Sequence, residues 1–173
     1  MTDAQTTATT TTGASRYYAQ PYDLSGTGFW FSDYDTFCEK LRANRCEEFE
    51  LQYIDGEDAE LWNACGADMS NLSVWFDVVQ QKLDDWERLA FFYCCDVLGY
   101  SLEEGLEHLE DYTVTEGTAK DYAEQLVDEC GNLEGLPENL RYYFDYDAFA
   151  RDMVLNGEIA EFEYNGTTYT ATA

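Results

Sequence analysis

With 36 acidic side chains against 9 basic ones, a chain of 173 residues carries a formal net charge of −27. Any fold it adopts must keep those groups apart and in water, because self-repulsion on that scale disfavours a compact state. Yet 45% of the residues are hydrophobic and 16% aromatic, too many for an acidic disordered tail. The sequence therefore asks for rings inside and carboxylates outside. The conflict is sharpest in Leu140–Met153, LRYYFDYDAFARDM, where five aromatic rings sit among three aspartates.

The excess acids fall in runs. Between Arg45 and Lys82 there are nine acids and no base, and from Asp96 to Glu138 thirteen acids accompany one base, Lys120. Such a surface argues against nucleic-acid binding, which needs Lys and Arg against phosphates. Three causes remain: a cationic partner, adaptation to high salt, or cation binding. High-salt proteins tend to trim bulky apolar residues, whereas this chain keeps 14 Tyr, 10 Phe and 4 Trp.

Length allows one domain or a few small lobes with a real core. Residues 1–15, MTDAQTTATTTTGAS, form a Thr-rich low-complexity tail expected to be disordered. From Arg16, RYYAQPYDL and GFWF read as strands joined around SGTG. SDYDTFCEKLRAN reads as a helix capped by Ser32, with Phe37, Cys38 and Leu41 on one face. In EEFELQYID, Phe49, Leu51 and Tyr53 alternate with Glu48, Glu50 and Gln52, the signature of a half-buried strand. These elements make a β-β-α-β lobe over 16–57.

Residues 58–112 read as helical. DAELWNAC, SNLSVWFDVVQQKL and DDWERLAFFYCCDVLGY repeat apolar residues at helical spacing. In SLEEGLEHLEDY, Ser101 and Glu104 form a capping box. At 100° per residue Leu102, Leu106 and Leu109 share one face, and Glu103, Glu104, Glu107, Glu110 and Asp111 take the other. Residues 113–173 read as a third, α+β lobe. Thr118 caps TAKDYAEQLVDECG, with Tyr122, Leu126 and Val127 inward and Asp121, Glu124, Asp128 and Glu129 outward, and Gly131 closes it. Pro137 starts a helix, and Asp145 caps another with Phe149, Met153 and Val154 inward. Asn165-Gly166 marks a final β-hairpin. The expected class is α+β.

Catalytic motifs are missing. His108 is the only histidine and sits among glutamates, where a solvated residue is expected rather than a base or ligand. No GxSxG, P-loop or HExxH occurs, and GTG at 26–28 reads as a turn. The acid pairs Asp33/Asp35 and Asp145/Asp147 fit helix caps better than Mg²⁺ ligands. The six cysteines show no CxxC or Cys/His ligand spacing, and the vicinal Cys94-Cys95 reads as buried hydrophobe. Without a basic-then-apolar leader or a long apolar run, the expected compartment is a reducing cytoplasm and no membrane is spanned. No cofactor and no metal are expected.

What the acids can imitate is a nucleic acid. Duplex DNA carries one charge per ~1.7 Å of axis, so 27 charges correspond to about 46 Å, or about 13–14 base pairs. Acids at i, i+3 and i+4 of a helix lie roughly 5–6 Å apart, a coarse match to rows of phosphates.

Particular residues then matter. EEFELQYIDGE (47–57), the acidic helical middle and above all LPENLRYYFDYDAFARDMVLNGEI (136–159) resemble the ArdA antirestriction family. The C-terminal pattern is carried by Leu136, Pro137, Asp145, Tyr146, Ala148, Arg151, Asp152 and Gly157, and the likeness covers roughly 16–172. In the first lobe the family's Asp-Tyr-Glu ending is replaced by Ile54-Asp55-Gly56-Glu57. The resemblance implies an elongated chain of three lobes that dimerises into a curved acidic rod. It implies an inhibitor without catalysis, which occupies the DNA groove of type I restriction–modification enzymes, at the methyltransferase core with its specificity subunit. The Leu140–Met153 stretch then becomes a structural signature, its rings packing the last lobe and Arg151 pairing with an acid nearby. The phosphate-mimicking acids are expected at Glu57, Asp58, Glu60, Glu103, Glu104, Glu107, Glu110, Asp111, Asp121, Glu124, Asp128 and Glu129. The competing readings are a mimic aimed at a CRISPR effector, an acidic module or chaperone for basic proteins, and a divalent-cation enzyme.

Overall fold

Period-two alternation builds the first sheet. In a computed structural model of the chain, which describes residues 15–131, 133 and 135–173, β1 (Arg16–Pro21) runs antiparallel between β2 (Phe29–Phe31) and β3 (Phe49–Asp55). The Thr-rich tail up to residue 14 lies outside the described residues. Tyr17 pairs with Phe31 on one side and Tyr53 on the other, so its buried ring stacks on Phe31 at 5.2 Å and meets Tyr53 edge-on at 5.1 Å. Helix α1 (Tyr34–Ala43) adds Phe37, 5.0 Å from Phe31. Offset and edge-to-face rings of this kind contribute beyond their buried area.

This sheet and α1 belong to a unit made of the described residues up to Ala59 together with Asp68–Ser73. Within it Met69 Sδ accepts the Phe49 N–H at 3.2 Å. The cap of α1 differs from expectation by one residue. Asp33, not Ser32, accepts the Thr36 N–H at 2.7 Å, and the Ser32 hydroxyl donates to Asp33 instead. A carboxylate accepts more strongly than a hydroxyl, so it takes the cap.

The second unit comprises Glu60–Ala67 and Val74–Ala173. Helix α2 (Ala59–Cys65) brings Trp62 edge-on to Trp75 at 5.1 Å. Two helices change pitch where the apolar runs are densest. Helix α3 (Leu72–Val74) passes into a π-turn at Trp75–Val79, and α4 (Asp85–Phe92) into another at Tyr93–Val97. The wider turn inserts one residue into the 3.6-residue repeat, and the second falls in a continuous buried run from Leu89 to Cys95. Helix α5 (Leu102–His108) follows, continued by a 3₁₀ turn at Leu109–Asp111.

A second antiparallel sheet has the order β4 (Thr113–Glu116), β6 (Thr167–Thr172), β5 (Ile159–Tyr164). The hairpin β5–β6 turns at Asn165-Gly166 with φ of 49° and 75°, the paired left-handed conformation that makes Asn-Gly the expected dipeptide. Strand β4 leaves no mark in the sequence because TVTE is short and carries no bulky apolar residue. Helices α6 (Ala119–Glu129) and α8 (Tyr146–Leu155) close over the sheet, with α7 (Glu138–Arg141) before α8. Ala119, Ala123 and Ala150 let them approach closely around Met153 and Ile159. The architecture is α+β.

The rings of Leu140–Met153 correct the expectation. Phe144 lies 4.8 Å from Tyr146 and 5.7 Å from Phe149, all half-buried. Tyr142 and Tyr143, however, are 87% and 78% exposed, and Val154 turns outward at 40%. Helix α7 is a single turn, too short to seat every ring, and α8 points Ala150 and Met153 inward instead. Arg151 Nε stands 4.0 Å from Asp152 Oδ1, the limit of an ion pair between exposed groups.

Candidate interaction surface

Helix α5 is a platform whose underside is fixed and whose top is charged. Leu102 and Leu109 are buried, and Gly105 sits so close to α4 that a Cβ there would meet Cys95 Sγ at 2.8 Å and Phe91 at 3.0 Å. At its start the expected capping box is present: Glu104 N–H donates to Ser101 Oγ at 3.3 Å and Ser101 N–H to Glu104 Oε2 at 3.0 Å. The Ser101 N–H, followed by its hydroxyl, holds the Glu104 carboxyl below the usual range. Glu103, Glu104, Glu107, Glu110 and Asp111 are exposed. Asp111 is engaged by His108 Nδ1 at 2.8 Å, and the imidazole lies 5.3 Å from the Tyr100 ring. The lone histidine is thus an exposed neighbour of acids, as expected.

Helix α6 repeats the scheme. Thr118 caps it and Asp121 returns the bond, accepting the Thr118 hydroxyl at 2.6 Å and N–H at 2.8 Å. Those two bonds, the hydroxyl's first, lower the Asp121 pKa. Ala123 and Val127 are buried, and Asp121, Glu124, Asp128 and Glu129 are exposed. Glu129 accepts from Gln125 Nε2 at 2.7 Å, while Lys120 is drawn away to Asp147 of α8 at 2.8 Å.

The remaining three expected positions differ. Glu57 is exposed and Asp58 half-buried, both in the first unit, with the Asp58 N–H donated to Tyr53 Oη at 2.9 Å. Glu60, in the second unit, reaches the β5–β6 turn, where its Oε2 accepts the Asn165 N–H at 2.7 Å. Of the twelve positions, the side chains of Glu57, Glu103, Glu107, Glu110, Glu124 and Asp128 make neither an ion pair nor a hydrogen bond among the described residues, and all but Glu57 lie on or beside α5 and α6.

Sequence reasoning passed over a depression of about 460 Å³ in the second unit, lined by Trp86, Glu87, Ala90, Leu109, Glu110 and Tyr112 among others. Trp86 shares the helical spacing of buried Ala90 and so reads as core, but it stands in the first turn of α4, beyond the packed part of that helix, and is 57% exposed. Tyr112 is half-buried, its pKa pushed up to about 12 chiefly by a hydrogen bond with Tyr100.

Little here supports bond-making chemistry. Burial pushes Cys65 and Cys95 to about 12 and Cys94 to about 11, leaving these thiols protonated and unreactive. Among the described residues no group of three or more His, Cys, Asp or Glu is placed to hold a metal ion, and no helix is long and apolar enough to cross a membrane.

A small α+β chain with two helices that turn carboxylates outward falls in the class of strongly acidic α+β proteins. Residues 23–166 match the model of the antirestriction protein ArdA, and the chain belongs to that family. The match takes in the acidic helices and the LPENLRYYFDYDAFARDM stretch. No curated protein matches the chain.

Proposed function

We propose that this antirestriction protein inhibits type I restriction–modification enzymes by imitating bent duplex DNA in the groove of the methyltransferase core and its specificity subunit. The observation that carries this reading is the set of outward, unpartnered carboxylates on α5 and α6: Glu103, Glu107, Glu110, Glu124 and Asp128. Capping boxes and buried undersides hold their helices in place, so the charges stand on a stiff scaffold. Loose acids would lose conformational freedom on binding, and a stiff array avoids that cost. Glu104, Asp111, Asp121 and Glu129 add to the field while also serving local bonds, as does Glu60, and Glu57 and Asp58 supply further acids in the first unit.

On this reading the protein acts in the cytoplasm as a homodimer, without a cofactor and without catalysis. The exposed rings of Tyr142 and Tyr143 and the exposed Leu140 and Leu155 supply apolar surface of the kind that marks protein contacts.

Competition tests the proposal. The full chain is titrated into a type I methyltransferase, with its specificity subunit, holding labelled target DNA, at several salt concentrations. A mimic displaces the DNA and weakens steeply with salt, because it returns to solution the counterions that a cationic groove collects. Binding that ignores competing DNA favours an acidic chaperone instead. A CRISPR effector tested alongside reports whether the target is specific to restriction.

A further inference from the structure

Two tryptophans of this chain are substantially exposed, Trp30 and Trp86. Trp30 already carries a cation, for the Arg16 guanidinium lies 4.8 Å from its ring centroid. Trp86 has no such partner among the described residues. It lines the 460 Å³ depression together with the buried Ala90 and Leu109, the half-buried Tyr112, and Glu87 and Glu110. Glu87 Oε2 accepts the Asp84 N–H at 2.8 Å in the cap of α4, but a carboxylate has acceptor capacity for further donors. The Glu110 carboxylate has no partner among the described residues.

An indole face, a half-buried phenol, buried apolar side chains and two carboxylates suit one kind of guest. A guanidinium is planar, weakly hydrated and rich in donors: it stacks on an indole and donates in the plane to carboxylates. An ammonium matches the charge but neither the shape nor the stacking. We propose that the Trp86 depression is a receptor for an arginine side chain presented by the target's DNA-binding groove. This rests on the mimicry reading for the source of the arginine, and it adds to that reading a discrete anchor within a diffuse field. The anchor offers what no phosphate row does, an aromatic face on which a planar guanidinium stacks.

The pocket can be tested with and without a target. In the full chain, the indole Nε1–H resonance of Trp86, assigned by its loss in Trp86→Phe, is followed during titration with arginine amide, lysine amide and citrulline amide. The expected result is a saturable shift with arginine amide, a weaker one with lysine amide and none with citrulline amide. Equal shifts with the two cations, or none, overturn the receptor, since a general field treats them alike.

With the type I methyltransferase, Trp86→Ala is expected to weaken binding about tenfold at every salt concentration, with the slope against salt unchanged because no charge is removed. Unchanged affinity in this variant, alongside weakened binding in a variant lacking the α5 and α6 acids, sinks the anchor and leaves mimicry standing. A wild-type chain that never competes with DNA sinks mimicry, and the amide titration then decides the pocket by itself.

Discussion

Glu60 Oε2 accepts the backbone N–H of Asn165 at 2.7 Å, joining the start of α2 to the tip of a hairpin 105 positions later. A residue expected to face a partner therefore also closes a turn of its own fold. Glu60→Ala should lower stability by about 1 kcal/mol, the ordinary worth of one hydrogen bond, and Glu60→Gln, which keeps an acceptor, should lose less. Denaturant unfolding of the two variants checks this. Equal stability of wild type and Glu60→Ala would show that the bond contributes nothing.

Gly105 should not tolerate a methyl group. Alanine normally gains about 1 kcal/mol over glycine in a helix, but the Cβ would meet Cys95 Sγ at 2.8 Å and Phe91 at 3.0 Å. Both neighbours are buried, and overpacking of this kind costs about 1–3 kcal/mol. Gly105→Ala is expected to melt several degrees below wild type. A rise in melting temperature would mean that α5 is free to lift off α4, and the stiffness of the acidic platform would go with it.

The reach of sequence reasoning follows from how local each signal is. Ser101/Glu104, Thr118 and Asp145 are legible because a cap needs only residues three apart, and Asn165-Gly166 because a two-residue turn demands its own chemistry. Leu102, Leu109 and Val127 follow from period 3.6. What escapes depends on tertiary packing. The π-turns at Trp75–Val79 and Tyr93–Val97 carry no local signal in the sequence, and β4 exists because β6 offers it an edge. Trp86, Tyr142 and Tyr143 look like core from composition, and only the ends of short helices leave them in water. The outward acids are legible one by one, yet their division into unpartnered groups, such as Glu103 and Glu107, and bonded ones, such as Glu60 and Asp121, is a property of the folded chain.

Acidification should separate the capping acids from the unbonded ones. The Asp121 carboxyl is held below its usual pKa by the Thr118 hydroxyl and N–H. Its contribution is therefore complete above the unfolded-state value of about 3.9 and lost as pH falls through the lower folded value. Asp121→Asn should melt below wild type at pH 7, with the gap closing towards pH 3. Glu107→Gln removes an unpartnered charge from a chain of net −27, so at pH 7 its melting temperature should hold or rise. A gap for Asp121→Asn that persists at pH 3 would assign its effect to shape, not charge.

The exposed pair Tyr142 and Tyr143, whose rings meet edge-on at 5.8 Å, makes a prediction about assembly. Replacing both by Glu adds charge where the homodimer reading needs apolar contact. Light scattering should then report half the wild-type mass, with the monomer's circular dichroism unchanged because neither ring is in the core. An unchanged mass moves the dimer contact elsewhere.

Neutralising Glu103, Glu107, Glu110, Glu124 and Asp128 together, as amides, gives the most demanding test of mimicry because it predicts opposite changes in two properties. These five acids hold nothing together, so removing 5 of the 27 excess negative charges relieves repulsion and should leave the protein as stable as wild type or more so. The same change removes the groups that stand in for phosphates. Competition with DNA should weaken strongly, and the salt dependence should flatten by up to about one unit of log–log slope for each phosphate-like charge removed. Single amides should each do little, since the field is shared. If the fivefold variant were more stable and still displaced DNA as wild type does, inhibition would have to work through something other than these charges. If one amide alone abolished displacement, a discrete site would replace the distributed one.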